Sequence, residues 1–285
     1  MRQVFDWIGR VLIVSGIAIA VAQLAEARAQ PAPLQFGVLP NLSARVIVES
    51  YQPFRTYLER RLGRAVEIVT APSFKAYHAN LMAGKYDLAV TAANLGRLAE
   101  IDAGHHVFAI YEPPIPGIVA VLRAKQIKSP AELRGKVLAL ANPQSLVAMK
   151  GMEWFAAQGL HAGTDFTTLH ARNDDSLAQV LGSGEAPMAM MSLGEFRAIR
   201  EELRKDLEIL VEFVRVPGFL ALTGNHIEKS LAASIRDAVI ELARHPEGEE
   251  FFRRSGFKAI RAVEQTELAT LDSVLAETRR LMSQP

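Results

Sequence analysis

The chain of 285 residues contains no cysteine. That absence excludes disulfides, thiolate metal sites and cysteine nucleophiles together, and with them a lipid anchor on a leader cysteine. There is no long basic run, and 32 basic residues against 31 acidic ones leave a formal charge of +1. A nucleic-acid partner is therefore not expected. G-x-S-x-G elbows, Walker loops and H-E-x-x-H helices are missing too, which removes the common signatures of hydrolases, nucleotide-binding proteins and zinc proteases. Gly182 and Gly184 follow a helical segment without a Gly-Lys-Ser/Thr continuation and read as a helix stop. The seven histidines do not fall at metal-ligand spacings, and His105-His106 after Gly104 reads as a solvated turn. No metal and no cofactor are expected, and the chain reads as a non-enzyme.

What is present is an ordinary α/β composition, 49% hydrophobic and 22% charged, in a chain long enough for two compact lobes. Residues 1–29 stand apart. Arg2 and Arg10 precede the apolar run Val11–Ala22, and Ala27-Arg28-Ala29 fits the small-x-small rule for signal peptidase. A cleaved leader and a mature start at Gln30 are expected, hence a periplasmic protein. The alternative is an uncleaved inner-membrane anchor, although the run is shorter than the roughly 20 residues a span needs.

Strands and helices then alternate. Phe36–Leu39 predicts a strand, and Ile47, Tyr51, Phe54, Leu58 and Leu62 mark one face of a helix ending at Gly63. Strand patterns recur at 66–69, 86–90, 136–141, 166–169 and 188–191, with helical stretches between them. Such alternation predicts parallel sheets covered by helices, with ligands at the carboxyl ends of the strands. Ile115-Pro116-Gly117-Ile118-Val119-Ala120-Val121-Leu122 is echoed by Val216-Pro217-Gly218-Phe219-Leu220-Ala221-Leu222-Thr223. The two segments are read as crossover strands joining two lobes, with Pro-Gly setting a bend in each. This predicts lobe 1 over 34–112, lobe 2 over 113–214, and a return crossover with C-terminal helices over 215–285. Two lobes on two crossovers make a hinged clamp.

The candidate site residues are small polar groups at strand-to-helix junctions: Asn41, Ser43, Ser73, Thr91 and Asn94 in lobe 1, and Gln144, Ser145, Asn173, Asp174 and Ser192 in lobe 2. Tyr111 is added to the set. Hydroxyls and amides beside helix N-termini suit an anion, because free backbone N–H groups already point there. Each is equally readable as a helix cap, and Asp174-Asp175 as carboxylates complementing a helix dipole.

Several segments, in order, resemble the phosphate/phosphite/phosphonate class of periplasmic solute-binding proteins of ABC transporters. They are Phe36-Gly37-Val38-Leu39-Pro40, Pro53-Phe54-Arg55-Thr56-Tyr57-Leu58, Ala83-Gly84-Lys85-Tyr86-Asp87-Leu88-Ala89 and Leu133-Arg134-Gly135-Lys136-Val137. The resemblance implies the two-lobed type II periplasmic-binding-protein fold, with two mixed or parallel sheets joined by two crossover strands. It also implies capture of a small oxyanion in the interlobe cleft and an ABC permease as partner; separately, a monomer is expected. The family's Asp-Pro-x-Ser-x-Ser-Gly loop is Asn142-Pro143-Gln144-Ser145-Leu146-Val147-Ala148 here, and its Ser-His pair is Asn173-Asp174. Fewer donors and an added carboxylate predict a less charged or zwitterionic ligand, a related polar solute, or a diverged member with another role. Two other roles share this scaffold: a sensing module that presents the clamp to a membrane receptor, and a periplasmic enzyme built on Ser145 with His170.

Overall fold

The computed structural model describes residues 31–171 and 174–283. The expected leader and Asn173 lie outside the described residues. The first half of the fold begins β1 (Leu34–Val38), α1 (Ala44–Leu62), β2 (Val66–Val69), α2 (Phe74–Met82), β3 (Leu88–Thr91), α3 (Ala93–Ala103) and β4 (His106–Glu112). The chain then enters β5 (Ile115–Leu122), β6 (Val137–Leu140), α4 (Leu146–Ala157), β7 (Thr167–His170), α5 (Asp174–Ser183), β8 (Met188–Ser192), α6 (Leu193–Ala198), α7 (Glu201–Arg204) and β9 (Leu207–Val216). It returns through β10 (Leu220–Thr223), α8 (Lys229–Glu241), α9 (Pro246–Ser255), β11 (Ala259–Ala262), α10 (Gln265–Ala269) and α11 (Leu275–Ser283).

Two mixed sheets result, in the orders β11-β4-β10-β3-β1-β2 and β7-β6-β8-β5-β9. In each, three parallel strands are followed by one antiparallel strand, β10 or β5, that arrives from the other sheet. The echoed segments therefore occupy equivalent places. Val119–Val121 and Leu220–Leu222 are the matching residues of these two inserted strands, and all of them are buried. The sheets are linked by two short passages, residues 113–114 and 217–219.

Burial explains the elements. β3 is buried on both faces; β1 buries Leu34, Phe36 and Val38 on one face, and on the other Gly37 leaves room for the ring of Tyr86. On one face of the six-stranded sheet Phe36 meets Tyr51 and Phe54 edge-on at 5.7 and 5.3 Å, and both helix rings also touch Phe251 of α9. On the other face Tyr77 stacks on Tyr86 at 5.0 Å. The five-stranded sheet is closed by Leu177 and Leu181 of α5 on one side and Phe155 of α4 on the other.

The sequence reading missed β4, β9, β11 and α9, and it misplaced the first of the two adjacent histidines; His106 is exposed. His105 is not in a solvated turn but 2% exposed, its Nδ1 accepting the Asn225 N–H at 3.2 Å. Its Nε2–H then donates to the Leu81 carbonyl at 2.8 Å. Burial holds His105 and the nearby His78 below the ordinary histidine range. Asp102 and Glu267 are held low by Arg279 and Arg261, and Glu250 is brought to about 2 by Arg253 and Arg254. Every one of these folded-state values is depressed, so the associated stability is present at high pH and lost on acidification. The urea midpoint should be nearly flat between about pH 7 and 9, fall below about pH 6.5 as the imidazoles take up protons more readily in the unfolded chain, and fall again below about pH 4.5. His78→Leu should shrink the first decline; a midpoint that rises between pH 7 and 5 would contradict this assignment.

Candidate functional site

A cavity of about 670 Å³ opens where the carboxyl ends of β1, β3, β6 and β8 converge, lined by residues of both sheets. Ligands of α/β proteins bind at such strand ends. Its wall is mainly apolar. Leu39, Leu42, Val46, Ile47, Phe74 and Phe219 come from the six-stranded half, and Ile115, Leu146 and Val147 from the five-stranded half.

The polar groups sit on that wall because of how the helices start. Ser145 is the N-cap of α4: its Oγ accepts the Ala148 N–H at 3.1 Å and its carbonyl accepts the Met149 N–H at 3.0 Å. The first-turn amides of Leu146 and Val147 have no acceptor within the helix, so the positive end of a twelve-residue dipole faces the cavity. Across from it, Ser192 caps α6 by accepting the Glu195 N–H at 3.1 Å, and the Glu195 carboxylate accepts the Ser192 N–H at 2.7 Å. Its other oxygen accepts Asn142 Nδ2 at 3.2 Å, which ties the β6–α4 loop to the β8–α6 loop. The capping-box pattern Ser192-x-x-Glu195 was present in the sequence and marks the start of α6, although not the bond to Asn142.

Of the candidate residues, the structure brings Asn41, Ser145 and Ser192 to the cavity. Ser43 is the half-buried N-cap position of α1 and makes no side-chain cap bond; Gln144 is half-buried beside Ser145. Neither lines the cavity. Ser73 is exposed and spends its Oγ on the Ala76 N–H at 3.1 Å, while its neighbour Phe74 supplies cavity wall. Thr91 and Asn94 are fully buried, Asn94 bonding to Thr278 instead. Tyr111 is enclosed by the rings of Phe219, Phe251 and Phe257, and burial raises its phenol well above the ordinary range. Thr91, Asn94 and Tyr111 are away from the cavity because helices or aromatic rings already cover them. Asp174 is the first residue of α5.

Sequence reasoning overlooked the cations. Arg197, Arg215, Arg253, Arg254 and Lys258 all line the cavity. Arg253 and Arg254 share Glu250, and Arg215 pairs with Glu212 at 2.7 Å. Arg197 and Lys258 make no ion pair among the described residues, so one unengaged cation stands on each half of the fold. No local motif could have shown this, since the contributing segments, from Arg197 to Lys258, are far apart in the chain and meet only in the fold. Among the described residues, no group of three or more His, Asp or Glu is placed to hold a metal ion.

Two α/β halves of matching strand order, each turning helix starts toward one shared cavity, define a ligand-capturing clamp of the type II periplasmic-binding-protein fold. Residues 36–268 match the model of the ABC transporter, phosphonate, periplasmic substrate-binding protein family, and the chain belongs to that family. The fold agrees. PhnD1 from Prochlorococcus marinus, solved in complex with methylphosphonate, superposes with a TM-score of 0.77 at 11% identity over 88% of this chain and 100% of its own. The binding protein component of an ABC phosphonate transporter from Pseudomonas aeruginosa gives 0.74 at 15% identity, covering 88% and 98%. The periplasmic aliphatic sulphonate binding protein SsuA from Escherichia coli gives 0.60 at 16%, covering 90% and 95%. A comparison with curated proteins gave no match. The family consists of periplasmic binding proteins that deliver small molecules to ABC permeases. Among the described residues no helix is long and apolar enough to cross a membrane.

Proposed function

We propose that this chain, exported by its leader and acting as a monomer, captures an organic oxyanion with an apolar substituent and presents it to its ABC permease. The single observation that carries the ligand class is the pairing of an apolar cavity wall with the open N-terminus of α4 and the unengaged Arg197 and Lys258. The oxyanion would meet Ser145 and the amides of Leu146 and Val147, with Asn41 and Ser192 as further polar contacts. The substituent would lie against Leu42, Val46, Ile47 and Phe74. Phosphonate and sulfonate head groups both fit this chemistry, and the related structures were solved as binding proteins for such anions. Where the β6–α4 loop lacks donors, the two cations supply the positive charge, which favours an anionic ligand over a neutral one.

Calorimetric titration with n-alkylphosphonates tests this. Each buried methylene contributes about 0.8 kcal/mol, so butylphosphonate should bind roughly 60-fold more tightly than methylphosphonate. Affinity that is flat or falls along the series would remove the apolar substituent from the account.

A further inference from the structure

α4, whose first turn faces the ligand cavity, does not pack only within its own half of the fold. Leu146, Val147 and Met149 share a buried cluster with Ala93 of α3, Leu268 of α10, Leu271, and Val274, which ends the short helical turn Asp272–Val274 just before α11. At the centre of this contact lies a polar group enclosed on all sides. Asn94 and Thr278 are both 0% exposed, and Met149 is 6% exposed. Thr278 Oγ1 donates to the Val274 carbonyl at 2.8 Å, which occupies its one proton. Its lone pairs accept Asn94 Nδ2–H at 3.2 Å, and the second Asn94 amide hydrogen points to Met149 Sδ at 3.7 Å. Asn94 Oδ1 has no partner. A buried amide left partly unpaired is costly, so the site is one where geometry is tightly specified rather than loosely filled.

The C-terminal helix is fixed to α3 independently of this contact. Arg279 holds Asp102 at 2.7 Å, and Arg97 holds Asp272 at 2.8 Å. α11 and the turn before it therefore form a strap, pinned on the six-stranded half, against whose inner face the first turn of α4 rests. We infer that Thr278 and Asn94 are positioning residues of the ligand site: through Met149 they set where the first turn of α4, and hence the amides of Leu146 and Val147, stand in the cavity. They touch no ligand. The inference rests on the proposed site only in assigning those amides to the oxyanion; the placement of α4 is independent of it.

The experiment therefore has two arms on Thr278→Val, which removes the hydroxyl at nearly constant volume, and on Thr278→Ser, which restores it. The first arm needs no ligand. Hydrogen exchange of the unliganded protein should be about tenfold faster in Thr278→Val for the amides of residues 148–152, with α1 and α8 unchanged and Thr278→Ser resembling the parent. Exchange that is unchanged at 148–152, or faster everywhere, overturns the inference by showing an idle or a merely structural hydroxyl. The second arm titrates butylphosphonate: Thr278→Val should weaken binding about tenfold while Thr278→Ser does not. If the parent fails to bind butylphosphonate, the ligand reading falls, and the exchange arm still decides the positioning role. Altered exchange with unchanged affinity overturns the link from α4 to the ligand.

Discussion

Ser145→Asp should abolish capture of the oxyanion while leaving the protein folded. Aspartate is as good an N-cap as serine, so the bond to the Ala148 N–H survives the change. The carboxylate, however, would stand where the ligand's own charge is to sit. Like charges brought together cost several kcal/mol, so affinity for butylphosphonate should fall by at least about 100-fold. Ser145→Asn is the control, since it caps equally well without charge and should retain most of the binding. Ser145→Ala separates the remaining contribution: loss of the cap costs about 1 kcal/mol of stability. Equal melting temperatures for the aspartate and asparagine variants, with binding lost only in the first, would tie the α4 N-terminus to an anion. Retained affinity in Ser145→Asp would place the oxyanion elsewhere.

Gly218→Ala should be severely destabilising for the addition of a single methyl group. A Cβ there would lie 1.9 Å from the Tyr111 carbonyl oxygen, and that oxygen belongs to backbone held in β4 between two paired strands. Neither partner can move without opening the ladder, so a loss of at least about 3 kcal/mol is expected in urea unfolding. Its counterpart in the sequence echo behaves differently. At Gly117 an added Cβ meets the ring of Phe213 and a methyl of Val214 at 2.8 Å, both side-chain atoms. Side chains can shift, and Gly117→Ala should cost about 1 kcal/mol. Comparable losses at the two sites would mean that the close backbone approach at residue 218 is not what requires glycine there.

The same echo shows how far the sequence could be read. Period-two and period-3.6 patterns located β1, α1, β2 and β3 within a few residues, because buried strands and amphipathic helices leave local marks. The repeated Pro-Gly pointed to two passages between sheets, and the structure gives its two strands equivalent places beside the third parallel strand of each sheet. What remained hidden is non-local. Ser73 and Ser145 carry the same cap signature, yet one is spent at an exposed helix start and the other at the cavity. Asn94 looked like a ligand donor from its strand-end position, but α11, arriving from the far end of the chain, covers it. His105 looked solvated from its neighbours, but the 224–226 turn closes over it. Arg197 and Lys258 could not be paired with a site by any spacing, because only the fold places α6 and the α9–β11 corner around one cavity.

The central claim is that the cavity between the two sheets holds an oxyanion at α4 and an apolar substituent against the opposite half. A crystal structure with 4-bromobutylphosphonate tests it most directly, because the anomalous signal of bromine marks the end of the chain independently of the head group. The account predicts phosphonate oxygens within hydrogen-bond reach, about 3 Å, of Ser145 Oγ and the Leu146 and Val147 amides, with bromine among Leu42, Val46 and Phe74. A bromine peak outside the cavity, or a phosphonate bound away from α4, would contradict it.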